Sequence, residues 1–444
     1  MVALLLPALT ACDPATPDQA ATSVVAASLE GVTHADSADS AEAASRFLFA
    51  SADAVVLVPQ DAPEPALRRA RELRVPALPD TDAGRAEAER LGARVITKAK
   101  DVPAAKQVRR DSPARIVTTG EPTAIIRTLA AVGGAEVVRI ASDPRRHVGS
   151  IKELRERADR PLLSIGAQPY AVEVVRAGAE TAAGGYLALP GHHYLALYGH
   201  PQTSGLGVLG EQGPRASVAR ARKLVRKYRA ADPKASFAPA FEIIATVASA
   251  GKGPRGDYSA RTPIRELRPL VDAAEKAGVT VILDLQPGRG DALEQAKAYA
   301  SLLREPHVGL AIDPEWKLGR KGKPLQRIGH MQAGEINRVS AWLARFTRRH
   351  TLPQKLFVVH QFQTQMVRDR DRLRTNHPEL ATVIHVDGQG APAAKFGTWG
   401  VIRQDAPTGV HWGWKNFVDE DEPMLNAKQT WRQVRPRPAL ITYQ

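Results

Sequence analysis

Val308-Gly309-Leu310-Ala311-Ile312-Asp313-Pro314-Glu315-Trp316 is an apolar run that ends abruptly in two carboxylates, two residues apart. Side chains of a β-strand alternate faces, so Asp313 and Glu315 are expected to point the same way as the small Gly309 and Ala311. Val308, Leu310 and Ile312 would then turn toward an apolar second layer. In a parallel α/β architecture the loops after the strands form the ligand-facing rim. Two acids sharing one face at such a strand end are a candidate for acid/base chemistry.

Working outward from this strand, the sequence from Tyr194 onward supplies eight strand candidates: Tyr194 to Gly199, Phe237 to Val247, Val279 to Leu285, Val308 to Asp313, Lys355 to Gln361, Ala381 to Asp387, Val410 to Trp414 and Ala439 to Tyr443. Amphipathic segments fill the longer gaps, notably Arg215 to Arg229, Pro263 to Ala277, Asp291 to Leu303 and Gly334 to His350. Eight strands in about 250 residues match the size of a (β/α)8 TIM-type barrel, expected over residues 193–444. The quoted run is its fourth strand.

Upstream, over residues 41–192, short apolar runs alternate with helical stretches. Strands are expected at Ala54 to Val58, Ala93 to Thr97, Ala114 to Thr118, Glu136 to Ile140 and Pro161 to Ile165, with helices near Pro65 to Leu73 and Gly84 to Leu91. This predicts a layered, Rossmann-like α/β domain with a mainly parallel sheet, so the fold class of the whole chain is α/β. Within it, Ser45-Arg46-Phe47, Ala52 to Val58, Val75-Pro76-Ala77-Leu78 and Glu89 to Ile96 follow one another in an order that resembles the type 2 cell-wall-binding repeat of Gram-positive surface proteins. That resemblance implies non-covalent attachment to an anionic wall polymer. A generic Rossmann-like domain without wall affinity is the alternative.

The 444 residues are 43% hydrophobic, enough for sizeable cores, and the 34 glycines and 33 prolines show no short period, which excludes a disordered or collagenous chain. A net charge of +14 favours polyanionic surroundings. The basic run Arg215 to Arg229 has helical spacing and reads as a solvated helix face. No P-loop or nucleic-acid motif accompanies it, so no nucleic acid partner is expected. The single cysteine, Cys12, ends Leu9-Thr10-Ala11-Cys12, which resembles a bacterial lipobox behind a short apolar leader. The resemblance implies a signal segment over residues 1–12, lipidation at Cys12, and a membrane-anchored protein on the extracytoplasmic face of the cell membrane. No Lys or Arg precedes Cys12, a departure from the usual basic start of such leaders. Residues 13–40, rich in Ala, Ser, Thr, Asp and Pro, are expected to form a flexible tether.

At the barrel mouth the strand ends should gather Glu242, Asp284 with Gln286, Asp313 with Glu315 and Trp316, His360 with Gln361, His385 with Asp387, and Trp412 with Trp414. Acids beside aromatics suit glycosidic cleavage: one carboxyl protonates the leaving oxygen, another meets the oxocarbenium-like centre, and rings stack on sugars. Asp313-Pro314-Glu315 resembles the D-x-E motif on the fourth barrel strand of family 25 glycoside hydrolases, the muramidases. That likeness implies Glu315 as general acid and Asp313 as its partner. Asp284 and Asp387 are added as supporting catalytic carboxylates from neighbouring strands. Glu242, Gln286, Trp316, Gln361, Trp412 and Trp414 are the candidate substrate-binding residues. No H-x-x-E-H or similar spacing indicates a metal, so neither metal nor cofactor is expected. The expected partner is a cell-wall polymer or other glycan. A non-catalytic glycan- or partner-binding surface protein is the competing reading. Asp313 paired with Lys317 or Arg289 for structure alone would fit that alternative.

Overall fold

The computed structural model describes residues 22–38, 40–59, 61, 63–96, 104–108, 113–319, 322 and 326–444. Cys12 lies outside them. The chain forms two compact units that interleave in sequence. The first contains the described residues up to Ser142 together with Arg157–Pro169, and the second contains Asp143–Glu156 with Tyr170–Gln444. The boundary expected at residue 192 is therefore not a single cut. The stretch before it belongs to the barrel's unit through side-chain contacts: Tyr170 donates to the Leu352 carbonyl at 2.6 Å, and the Gln354 amide oxygen accepts from the backbone of Ala188 and Leu189 at 3.1 and 3.2 Å.

The first unit is layered α/β, as its alternating pattern predicts. Its main sheet runs Val32–Ala35, Leu162–Ile165, Ala114–Thr118, Ala135–Arg139 in space, all parallel, and a second parallel sheet runs Ala77–Pro79, Ala54–Val58, Arg94–Val95. Val24–Ala26 pairs antiparallel with Phe49–Ala52. Two of these strands, Val24–Ala26 and Val32–Ala35, fall inside the stretch expected to be a tether. Their short alternating runs are masked in the sequence by surrounding Ala, Ser and Asp.

The second unit contains a closed barrel of eight parallel strands: β1 (His193–Gly199), β2 (Phe237–Ala248), β3 (Thr280–Leu285), β4 (Val308–Ile312), β5 (Lys355–His360), β6 (Leu380–Val386), β7 (His411–Asn416) and β8 (Leu440–Tyr443). Each pairs with the next, and β8 and β2 both flank β1, which closes the ring. The helices between them include α1 (Pro214–Ala231), α2 (Ile264–Ala277), α3 (Ala292–Ala298), α4 (Ala333–Arg349) and α5 (Pro392–Arg403). In α4 the buried Ile336, Val339, Leu343 and Phe346 recur at three- and four-residue spacing, which lays one apolar stripe on the barrel wall. Along α1, Arg215, Arg222, Lys223, Arg226 and Lys227 are exposed, so its basic run is a solvated face.

The period of two in β4 holds. Ala311 joins the bore with Ala196, Ala238, Ala240, Ile282, Val358 and Val383, while Val308, Leu310 and Ile312 pack outward against the helices. Small residues fill the bore because eight strands leave little room inside. At Gly309 a Cβ would stand 2.6 Å from the Leu356 carbonyl oxygen, so only glycine fits there.

Candidate active site

The same alternation carries polar side chains to the C-terminal end of the bore. There β1 presents Tyr198, β2 Glu242, β3 Asp284, β5 His360, β6 His385, β7 Lys415 and β8 Thr442, while Asp313 and Asp387 extend the rows of β4 and β6. Asp313 ends its strand: its Oδ1 accepts the Glu315 backbone N–H at 3.0 Å and starts a 3-10 turn over Pro314–Trp316. Glu315 therefore sits on that turn and not on the strand, yet both acids line one cleft.

His360 is the hub. Its Nδ1 lies 2.8 Å from Asp387 Oδ2 and its Nε2 lies 2.8 Å from Glu242 Oε1, with Asp284 Oδ1 at 4.0 Å. Burial alone would depress the imidazole, but Glu242 and Asp387 outweigh it and raise His360 well above its ordinary value. His360 is thus a cation that donates from both nitrogens. In return it overcomes the burial penalty on both carboxylates, lowering Glu242 and bringing Asp387 down to about 2.

The other acids go the opposite way. Burial, with Asp387 beside it, lifts Glu315 to about 7. Burial, with Glu242 adding to it, lifts Asp284 to about 6, even though Tyr198 donates to Asp284 Oδ2 at 2.8 Å. Asp313 is raised well above its ordinary value by burial and by Asp284, Glu315 and Asp387. His385 is depressed to about 3, chiefly by burial, and stays neutral, with its Nε2 3.1 Å from Thr442 Oγ1. Glu242 Oε2, Asp284 Oδ1, Asp387 Oδ1 and His385 Nδ1 are buried without a hydrogen-bond partner. Orphaned buried groups cost stability and gather at functional sites, which makes this cluster a candidate site.

The cleft above has a volume of about 480 Å³, and its lining includes Tyr198, Gln286, Asp313, Glu315, Trp316, Phe362, Asp387, Lys415 and Phe417. Of the expected catalytic carboxylates, Asp313, Glu315 and Asp387 line it and Asp284 lies beneath Tyr198. Of the expected binding residues, Gln286 and Trp316 line it and four others do not. Glu242 is fully buried against His360 and serves to position that ring. Gln361 faces away from the bore, donating to the Gln363 and Thr364 carbonyls. Trp412 and Trp414 point outward onto α5, where Trp414 stacks within 5.6 Å of Trp399 and 5.4 Å of Phe396. In His411–Asn416 the inward positions are Gly413 and Lys415. Large aromatics on a barrel strand fit the helix-facing layer, and the bore next to His385 admits only glycine, since a Cβ on Gly413 would meet the imidazole at 2.3 Å.

Tyr198, Lys415 and Phe417 are cleft residues beyond those expected, and for the first two the signal is the same period of two that places Asp313. Lys317 and Arg289 are engaged elsewhere: Lys317 donates to the Gly290 carbonyl at 2.6 Å, and Arg289 lies over the Tyr258 ring. Two trios, Glu242-His360-His385 and Asp313-His360-Asp387, bring their donor atoms within 4.8 Å of one another. Both include His360, whose two nitrogens each lie 2.8 Å from a carboxylate oxygen. No protein-family model and no curated protein matches the chain.

Proposed function

We propose that the barrel is a glycoside hydrolase with Glu315 as general acid and Asp387 as its ionised counterpart. One observation carries this reading: in a single cleft, Glu315 is held protonated up to about 7 while Asp387 is held ionised down to about 2. Environments that push two carboxyls apart in this way divide the labour of glycosidic cleavage. Glu315 gives its proton to the departing glycosidic oxygen, and the Asp387 carboxylate meets the positive charge left on the sugar. Asp313 and Asp284, neutral below their raised pKa values, keep further like charge away from Glu315. The rings of Trp316, Phe362 and Phe417 offer faces for sugar stacking. The competing reading, a non-catalytic barrel, would suit acids locked by bases. Capping by Lys or Arg would mark such locking; among the described residues none of Asp284, Asp313, Glu315 and Asp387 pairs with either, and the base that meets Asp387 is His360 at 2.8 Å.

The reading extends to an envelope protein anchored through lipid on Cys12, with the first unit holding wall polymer. Its support is the Leu9-Thr10-Ala11-Cys12 sequence and the sequence succession from Ser45 to Ile96, which resembles that of the wall-binding repeat. Among the described residues no helix is long and apolar enough to cross a membrane.

Purified protein should release new reducing ends from peptidoglycan or from a simpler polysaccharide. Glu315→Gln should cut that release by about 10²–10⁴-fold, the usual range for a lost general acid, with circular dichroism unchanged. Undiminished release from this variant would sink the assignment.

A further inference from the structure

Of the described residues lining the cleft, Lys415 alone is basic. Strand alternation turns it inward with Gly413, and it is only 3% exposed. Its Nζ lies 3.7 Å from the centroid of the Tyr198 ring and 5.1 Å from that of Phe417. Among the described residues it forms no ion pair, although its charge acts on Glu242, Asp284, Glu315 and Asp387.

The two other buried lysines among the described residues of the barrel both have oxygen partners. Lys395 Nζ contacts Asp421 Oδ2 at 2.7 Å and the Gly388 and Lys415 carbonyls at 2.9 and 2.8 Å. Lys355 Nζ donates to the Glu305 and Val308 carbonyls at 2.9 and 2.7 Å. An ammonium taken out of water without such partners is costly. Ring faces repay part of that cost but accept no N–H along the lone-pair direction, so Lys415 keeps donors aimed into the cleft.

We propose that Lys415 Nζ anchors a carboxylate carried by the bound sugar, so that the substrate is an acidic glycan. The proposal rests on the glycosidase reading and names its substrate class. A singly charged carboxylate matches one ammonium. A doubly charged phosphate monoester would be opposed more strongly than a carboxylate by the ionised Asp387 and Glu242 close by. Two kinds of sugar carry the required group: a uronic acid, and a muramic acid whose lactyl carboxylate is free because no peptide is attached to it.

The test is calorimetric binding at pH 6 by the full chain. The probes are a hexagalacturonate, a peptide-free hexasaccharide of alternating N-acetylglucosamine and N-acetylmuramic acid, and the carboxyl-reduced counterpart of each. At least one acidic probe should bind 10-fold or more tightly than its reduced counterpart, and which one does so identifies the source of the carboxylate. Lys415→Met should erase that preference, and Lys415→Arg should keep most of it. Equal affinity of acidic and reduced probes, no binding of any acidic probe, or a Met variant that weakens acidic and reduced probes alike would each overturn the proposal. The comparison of probes on the unmodified chain stands even if a variant fails to fold. Selective binding without hydrolysis would remove the glycosidase reading and leave the anchor. Hydrolysis of reduced and acidic glycans at equal rates would do the reverse.

Discussion

At the scale of single residues, the site is organised by one imidazolium. His360 contributes to stability fully below its ordinary unfolded pKa and loses that contribution as pH rises through its raised folded value. Asp387, depressed to about 2, contributes above its unfolded value and loses that as pH falls through 2. Both act together between about pH 4 and 6.5. Replacing His360 by Gln leaves Glu242 and Asp387 buried without a cation, so chemical denaturation near pH 6 should show a loss of about 3–5 kcal/mol. A loss under about 1 kcal/mol would mean that the two carboxylates are neutral in the native protein. Glu315 sets the catalytic limb: hydrolysis requires it protonated, so kcat/KM should fall as pH rises through about 7. A rate flat to pH 9 would contradict its role as acid.

At the scale of elements, most of the barrel was legible and part of the mouth was not. Each expected barrel strand forms within two residues of its expected bounds, because all but β7 are largely apolar runs closed by a turn or a helix. The orientation of β4 followed directly from its alternation. In β7 the expectation of sugar-stacking rings at Trp412 and Trp414 fails, because their size suits the helix-facing layer and leaves Lys415 in the bore. His360 stood at an expected strand end, but its part in joining Glu242 to Asp387 depends on residues 118 and 27 positions away, which no local pattern relates. Gly413→Ala should cost about 1–3 kcal/mol by pushing its methyl into the His385 ring, measured by thermal denaturation. Trp414→Ala should cost about 3–5 kcal/mol as a core truncation while Glu315 keeps its titration, which separates packing from chemistry.

At the scale of the whole molecule, the chemistry carries a stability cost. A carboxyl whose pKa is raised on folding supports the fold only while protonated. That support is full near pH 4 and is lost as pH rises through about 6 for Asp284 and about 7 for Glu315. Glu315→Gln should therefore raise stability at pH 8 by on the order of 1–3 kcal/mol and change little at pH 4. The first unit was legible in its alternation of strands and helices, but not in its division into separate sheets nor in the strands at Val24–Ala26 and Val32–Ala35, whose three- and four-residue lengths give periodicity too little to work with. For the proposed anchor, expression in a bacterium should send the chain to the detergent phase on Triton X-114 partition and Cys12→Ser to the aqueous phase. Aqueous partition of the unmodified chain would remove the lipid. The measurement that bears most directly on the central claim is a ¹³C NMR titration of the side-chain carboxyls in protein labelled at Glu and Asp, with Glu315→Gln and Asp387→Asn to assign the two resonances. The account predicts a Glu315 midpoint near 7 and an Asp387 carboxyl still ionised at pH 4. A Glu315 midpoint near the ordinary value of about 4.3, or an Asp387 that titrates together with Glu315, would contradict it.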